Sequence, residues 1–126
     1  MKRLIIPGVI PSVNHQYTNA MYKGRRMRVL TTEAAKWEYD VTLLIKSWIH
    51  QNKWLTADSK VIVRLWYFYP DKRRRDAHNT LKLLLDVCEH AGIFIDDKLA
   101  LPQIMDYEID RQNPRTEIEF EVMQVV

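Results

Sequence analysis

At 126 residues and 47% apolar content, the chain is long enough for one domain, residues 1–126, with a real core. It holds no run of ~18 apolar residues, which excludes a membrane-spanning helix, and Leu4–Ile10 is too short and too broken by Pro7 and Gly8 for a signal peptide. The net charge of +3 conceals a division: residues 1–75 carry 15 Lys and Arg against 5 Asp and Glu, whereas residues 76–126 carry 4 against 11.

Such a division suits a protein with two surfaces of different purpose. A basic surface attracts a polyanion by releasing its counterions. A carboxylate cluster repels that polyanion unless a cation sits between them. The alternative is a solvated surface of mixed charge. One cysteine, Cys88, allows no disulfide within the chain, which fits a reducing cytoplasm.

In chain order, Lys2–Ile6 reads as an opening strand ended by Pro7. The segment Pro11-Ser12-Val13-Asn14 that follows has loop chemistry, with Tyr17 just beyond it. Ala20–Leu30 reads as a hairpin turning at Lys23-Gly24, with Lys23, Arg25, Arg26 and Arg28 around the turn. Those cations suit either phosphate contact or the protection of an exposed edge. Thr31 or Thr32 is a helix cap, and Ala34, Trp37, Val41, Leu44, Ile45, Trp48 and Ile49 form an apolar stripe at helical spacing. On that stripe the two tryptophans are expected as core or dimer contacts rather than base-stacking groups.

Lys60–Tyr69 is rich in β-branched and aromatic residues and apolar on both faces except at Arg64, the pattern of a central strand. Lys72, Arg73, Arg74 and Arg75 then lead into Asp76. From Ala77 to Ala91 a helical period puts His78, Glu89, Lys82, Asp86, Asn79 and His90 within an arc of roughly 120°, with leucines, Val87 and Cys88 on the remainder. Gly92 suits the left-handed position that ends a helix. Ile93–Ile95 is a short apolar strand or turn before Asp96-Asp97. Leu101–Ile109 is a strand with Met105, Tyr107 and Ile109 on one face, and Thr116–Val125 alternates apolar with glutamate residues. This order predicts an α+β fold: two layers, a mixed β-sheet with two main helices packed on it.

The stretch Arg73–Asp97 resembles the RusA family of Holliday-junction resolvases, small phage and bacterial endonucleases that cut four-way DNA junctions. The family pattern is a basic run, D-x-D-N, a lysine three residues on, an aspartate four after that, and a DD pair. Asp76, Asn79, Lys82, Asp86, Asp96 and Asp97 fall on those positions. The resemblance implies the same α+β fold, a homodimer, Mg2+ or Mn2+ as cofactor, branched DNA as partner and a prophage or phage origin. It implies Asp76 and Asp97 as metal ligands, Lys82 as the catalytic lysine, Asp96 as an alternate ligand or a group behind the ligands, and Asn79 and Asp86 in support. Asn14, Tyr17 and the basic residues of the hairpin and of Lys72–Arg75 would contact DNA.

Taken singly these residues have ordinary readings. Lys82 and Asp86 make a helical surface pair worth ~0.3 kcal/mol, and Asp96-Asp97 a solvated turn. Asn14 and Tyr17 equally well order a loop. The chain departs from the pattern at His78, which stands where the family has its second aspartate. His78 then ligates the metal, acts as general base, or marks a weakened site in a protein that binds branched or single-stranded DNA with little cutting.

Overall fold

The computed structural model describes residues 1–12 and 17–123, and the backbone alone at positions 17–20, 22 and 27–30. In chain order the strands and helices are β1 (Leu4–Pro7), β2 (Tyr17–Tyr22), β3 (Arg25–Leu30), α1 (Thr32–Asn52), β4 (Val61–Tyr69), α2 (Leu81–Ala91), β5 (Ala100–Ile109) and β6 (Arg115–Val122). Short 3-10 turns precede α2 at Ala77–Thr80 and β5 at Asp97–Leu99. The expected α+β architecture is present: a mixed four-stranded sheet in the order β1-β6-β4-β5, with both helices on one side. β2 and β3 form a separate antiparallel hairpin, three residues longer at its start than the basic pattern indicates. No helix among the described residues is long and apolar enough to cross a membrane.

β4 lies between β6 and β5, as its apolar character on both faces requires. It pairs antiparallel with β6 and parallel with β5. A parallel pair needs a crossover, and α2 supplies it. The strands align Val61 with Ala100 and Tyr69 with Ile109. The exit of β4 and the entry of β5 are therefore at opposite ends of the sheet, with α2 running between them.

The helix-facing residues Val61, Val63 and Leu65 are buried, as are Leu4, Ile6 and Ile118 on the flanking strands. Against them α1 packs Val41, Ile45 and Trp48, and α2 packs Leu84, Val87 and Cys88. Trp48, Trp54 and Phe120 meet pairwise with ring centroids 5.4–5.9 Å apart. In this cluster both indoles find a carbonyl: Trp48 Nε1 donates to Lys2 and Trp54 Nε1 to Ile93, both at 2.9 Å. Trp48 is thus a core residue. Burial pushes the Cys88 thiol up to about 12, as befits a packing group.

The other face of β4 has no helix over it. Its half-buried aromatics are covered by arginines instead: Arg3 lies over Trp66 at 3.7 Å and Arg115 over Phe68 at 3.8 Å. Arg3 is held in turn by Glu117 and Glu119, and Arg115 by Asp110 and Glu117. The alternating glutamates of β6 thereby anchor the cations that shield the sheet.

Capping fixes both helices. Thr31 Oγ1 accepts the Ala34 N–H at 3.1 Å, and α1 ends at Lys53 in the left-handed region. α2 ends at Gly92 with φ +103°. It starts later than its period suggests. The carboxylate of Asp76 accepts the His78 N–H at 3.0 Å, and this cap tightens Ala77–Thr80 into a 3-10 turn.

Candidate active site

The polar side of α2 is organised around its carboxylates. Lys82 and Asp86 are paired one turn apart, Nζ to Oδ2 at 3.8 Å. Asp86 meets the carboxyl group of Asp97. Glu89, one turn further on, accepts the backbone N–H of Asp97 at 2.7 Å. Carboxylate oxygens of Glu89, Asp96 and Asp97 all lie within 4.8 Å of one another. Chain reversal at Gly92 brings this about: Ile93 and Phe94 are buried, Phe94 bridges to Ala57, and past the exposed Ile95 the chain delivers Asp96 and Asp97 beside α2, with Asp97 meeting Asp86 and Glu89.

This crowding has an electrostatic signature. Burial, and then the hydrogen bond to Asp97, raise the pKa of Asp86; Lys82 and His90 act in the opposite sense. Carboxylates that press a neighbour toward its neutral form gain by taking up a cation. The donor set is entirely oxygen, which suits magnesium or manganese.

The expected ligands divide between two places. Asp96 and Asp97 belong to the group just described. Asp76 and His78 stand outside it, at the entrance of the 3-10 turn, with His78 Nδ1 3.4 Å from Asp76 Oδ1. Asp76 precedes α2 and Asp97 follows it, and the carboxylate group within 4.8 Å contains Asp97 and not Asp76. Both His78 and Lys82 are well exposed. Asn79 is half-buried beside Asp76 on a groove wall shared with Arg73–Arg75.

Glu89 is the member of the acidic group to which sequence reasoning assigned no role. Its signal was present: it is three residues after Asp86 on the same polar arc. Only its distant contact with Asp97 distinguishes it from a solvated helix residue.

The basic residues also divide. Arg75 is not available to a ligand, because its guanidinium is bound to Asp71 Oδ1 at 2.8 Å and lies 5.1 Å from the Tyr69 ring. That contact, with the Arg73 N–H, holds Asp71 below the usual carboxylate range. Lys72, Arg73 and Arg74 are exposed. In the hairpin, Lys23, Arg25 and Arg26 are exposed around the turn. Asn14 lies outside the described residues, as do the side chains of Tyr17 and Arg28.

The segment Arg73–Asp76 is a rib between two grooves. One is floored by Ile104, Tyr107 and Ile109 of β5, the other walled by Val9–Ser12. A carboxylate group that can hold a divalent cation, a lysine on the same helix and a cationic loop at its entrance equip the protein for chemistry on a phosphodiester. This is the outfit of a nuclease.

The family model described as Endodeoxyribonuclease RusA matches residues 7–121. The chain belongs to that family, and both groups of carboxylates and the cationic loop lie within the matched region. No individual curated protein matches it.

Proposed function

We propose that the protein is a divalent-metal-dependent endonuclease that resolves four-way DNA junctions by paired, symmetric hydrolysis of phosphodiesters. The observation that carries this reading is the carboxylate group of Glu89, Asp96 and Asp97, tied through Asp86 to Lys82, in a chain of the RusA endodeoxyribonuclease family.

Asp97, Asp96 and Glu89 would hold the cation, while Asp76, outside that group, is the carboxylate that the family pattern supplies at the helix entrance. A divalent cation held there, magnesium or manganese, would neutralise phosphate charge and lower the pKa of a water. Lys82 contacts a non-bridging phosphate oxygen, where negative charge grows as the water oxygen bonds to phosphorus and the P–O bond to the leaving sugar opens. His78, turned by Nδ1 toward Asp76, has Nε2 to take a proton from the attacking water or to meet a metal. Lys72, Arg73 and Arg74 contact flanking phosphates, as do the hairpin cations. A four-way junction has near two-fold symmetry, so a homodimer with one site per subunit places two nicks opposite each other.

The test is incubation of a labelled four-way junction with the purified protein in magnesium, in manganese and with chelator. Paired symmetric nicks that chelator abolishes are the expected result. Asp97→Ala should lower the rate roughly 100-fold or more, about 3 kcal/mol of transition-state stabilisation, with junction binding kept. Tight binding without cutting in either metal would replace this reading with that of a junction-binding protein weakened at His78. The next variant would then be His78→Asp.

A further inference from the structure

We infer that the groove between the cationic loop and β5 seats an unstacked nucleobase of the DNA, with Tyr107 as the stacking platform. This rests on the reading of the protein as a DNA enzyme and adds the ligand of a second, adjacent place.

The groove has a volume of about 520 Å³, within the ~300–1,000 Å³ range of small-ligand sites. Its floor is apolar and aromatic: Ile104, Tyr107 and Ile109 from β5, with Tyr69 from β4. Its wall is Lys72–Arg74, and its end is Asp76 and His78. A β-bulge makes the floor. Leu65 pairs with Ile104 but Trp66 pairs with Asp106, so Met105 is the extra residue. The bulge puts Ile104, Tyr107 and Ile109 on the helix-facing side, in place of the expected Met105, Tyr107 and Ile109.

Tyr107 is level with Tyr67, which is stacked on Tyr69 at 5.8 Å and 7°. Tyr67 is covered by the 3-10 turn, its hydroxyl 3.1 Å from Thr80 Oγ1. The helical layer stops there, and Tyr107, on the edge strand beyond it, remains 71% exposed. An aromatic face on a rigid strand, next to three exposed cations, combines what single-stranded nucleic acid binding uses: stacking for the base and positive charge for the backbone. A purely apolar partner would cover Lys72, Arg73 and Arg74 with only Asp71, already bound to Arg75, and Asp76 nearby as counter-charge, whereas a nucleotide satisfies both sides of the groove. Four-way junctions and their open forms offer bases that are cheap to unstack.

The probe is a single-stranded oligonucleotide with one 2-aminopurine, titrated in chelator so that no strand is cut, with a blunt duplex as control. The native protein and Tyr107→Phe should bind the strand equally and quench the probe. Tyr107→Ala should bind it roughly tenfold more weakly, about 1.4 kcal/mol, and lose the quenching, with duplex affinity unchanged. Tyr107 is exposed on the edge strand, so neither variant removes core packing. Unchanged strand binding and quenching in Tyr107→Ala would overturn the proposal. So would an equal loss on duplex, or a change in sedimenting mass showing that the groove meets a second copy of the chain. Junction nicking by the native protein decides the reading in the preceding section and does not enter this measurement.

Discussion

Asp86 is the residue whose ionisation reports on the candidate site. Its pKa is raised, first by burial and then by Asp97, which shifts its titration in the folded protein to higher pH than in the unfolded chain. Between the two pKa values the folded state binds more protons, and stability falls as pH rises through that window. Asp86→Asn should therefore be more stable than the native protein at neutral pH and should lose that slope, as chemical denaturation at several pH values would read. Added magnesium or manganese should narrow the gap, since a cation lets the crowded carboxylates stay ionised. Asp71 has the opposite sign. Arg75 holds its pKa down, so its contribution is present above the unfolded pKa and is lost as pH falls through the folded one. Cys88 gives a simpler expectation: a fully buried thiol with its pKa near 12 should resist a thiol reagent until the protein unfolds. At this scale the resemblance to the RusA family marked Asp76, Lys82, Asp86, Asp96 and Asp97, each of which alone has an ordinary reading. The sequence could not distinguish Glu89 from any solvated helix glutamate, because its contact with Asp97 depends on the reversal at Gly92.

The decisive element is the crossover β4–α2–β5. Its helix was legible from Leu81 to Ala91, where leucines and polar residues keep a helical period. It was not legible from Ala77 to Thr80, because the Asp76 cap makes a 3-10 turn that rotates His78 and Asn79 off that period. The central place of β4 was legible from its apolar faces, but its parallel pairing with β5 was not. Pairing direction is a tertiary choice that neither strand's alternation records. The crossover that choice requires puts Asp76 before α2 and Asp97 after it, with the helix linking them. Gly92 holds the crossover's return. A Cβ there would meet Thr56 Oγ1 at 3.6 Å and Ile49 Cδ1 at 3.8 Å, ordinary contacts, so space is not the difficulty. The positive φ is, and Gly92→Ala should cost about 1–2 kcal/mol of stability. Because that turn delivers Asp96 and Asp97, the variant should also bind the metal more weakly, which calorimetric titration would show beside the melting curve.

Across the whole molecule, the charge division maps onto places rather than onto halves of the fold. Acidic residues gather at the end of α2 and along β6; exposed cations cluster on the β2–β3 turn and the loop after β4, while others such as Lys36, Lys46, Lys53 and Lys60 stand singly. The β6 glutamates are occupied, holding Arg3, Arg64 and Arg115 on the far face of the sheet. The cations facing the grooves are not so held: among the described residues none pairs with Lys72, Arg73 or Arg74, whereas Arg75 is committed to Asp71. This separates two kinds of substitution. Replacing Lys72, Arg73 and Arg74 by glutamine removes three phosphate contacts, and the slope of log affinity against log salt should shrink by roughly 3 on duplex DNA. The loss should be similar for any DNA sequence, since phosphate contacts position without specifying. Arg75→Gln should leave the slope nearly unchanged and instead release Asp71 and loosen the loop, lowering the cutting rate with little loss of affinity. Binding isotherms over a series of salt concentrations separate these outcomes. Equal slope changes from the triple and the Arg75 variants would mean that Arg75 leaves Asp71 for phosphate when DNA binds, and that the loop rearranges on its substrate.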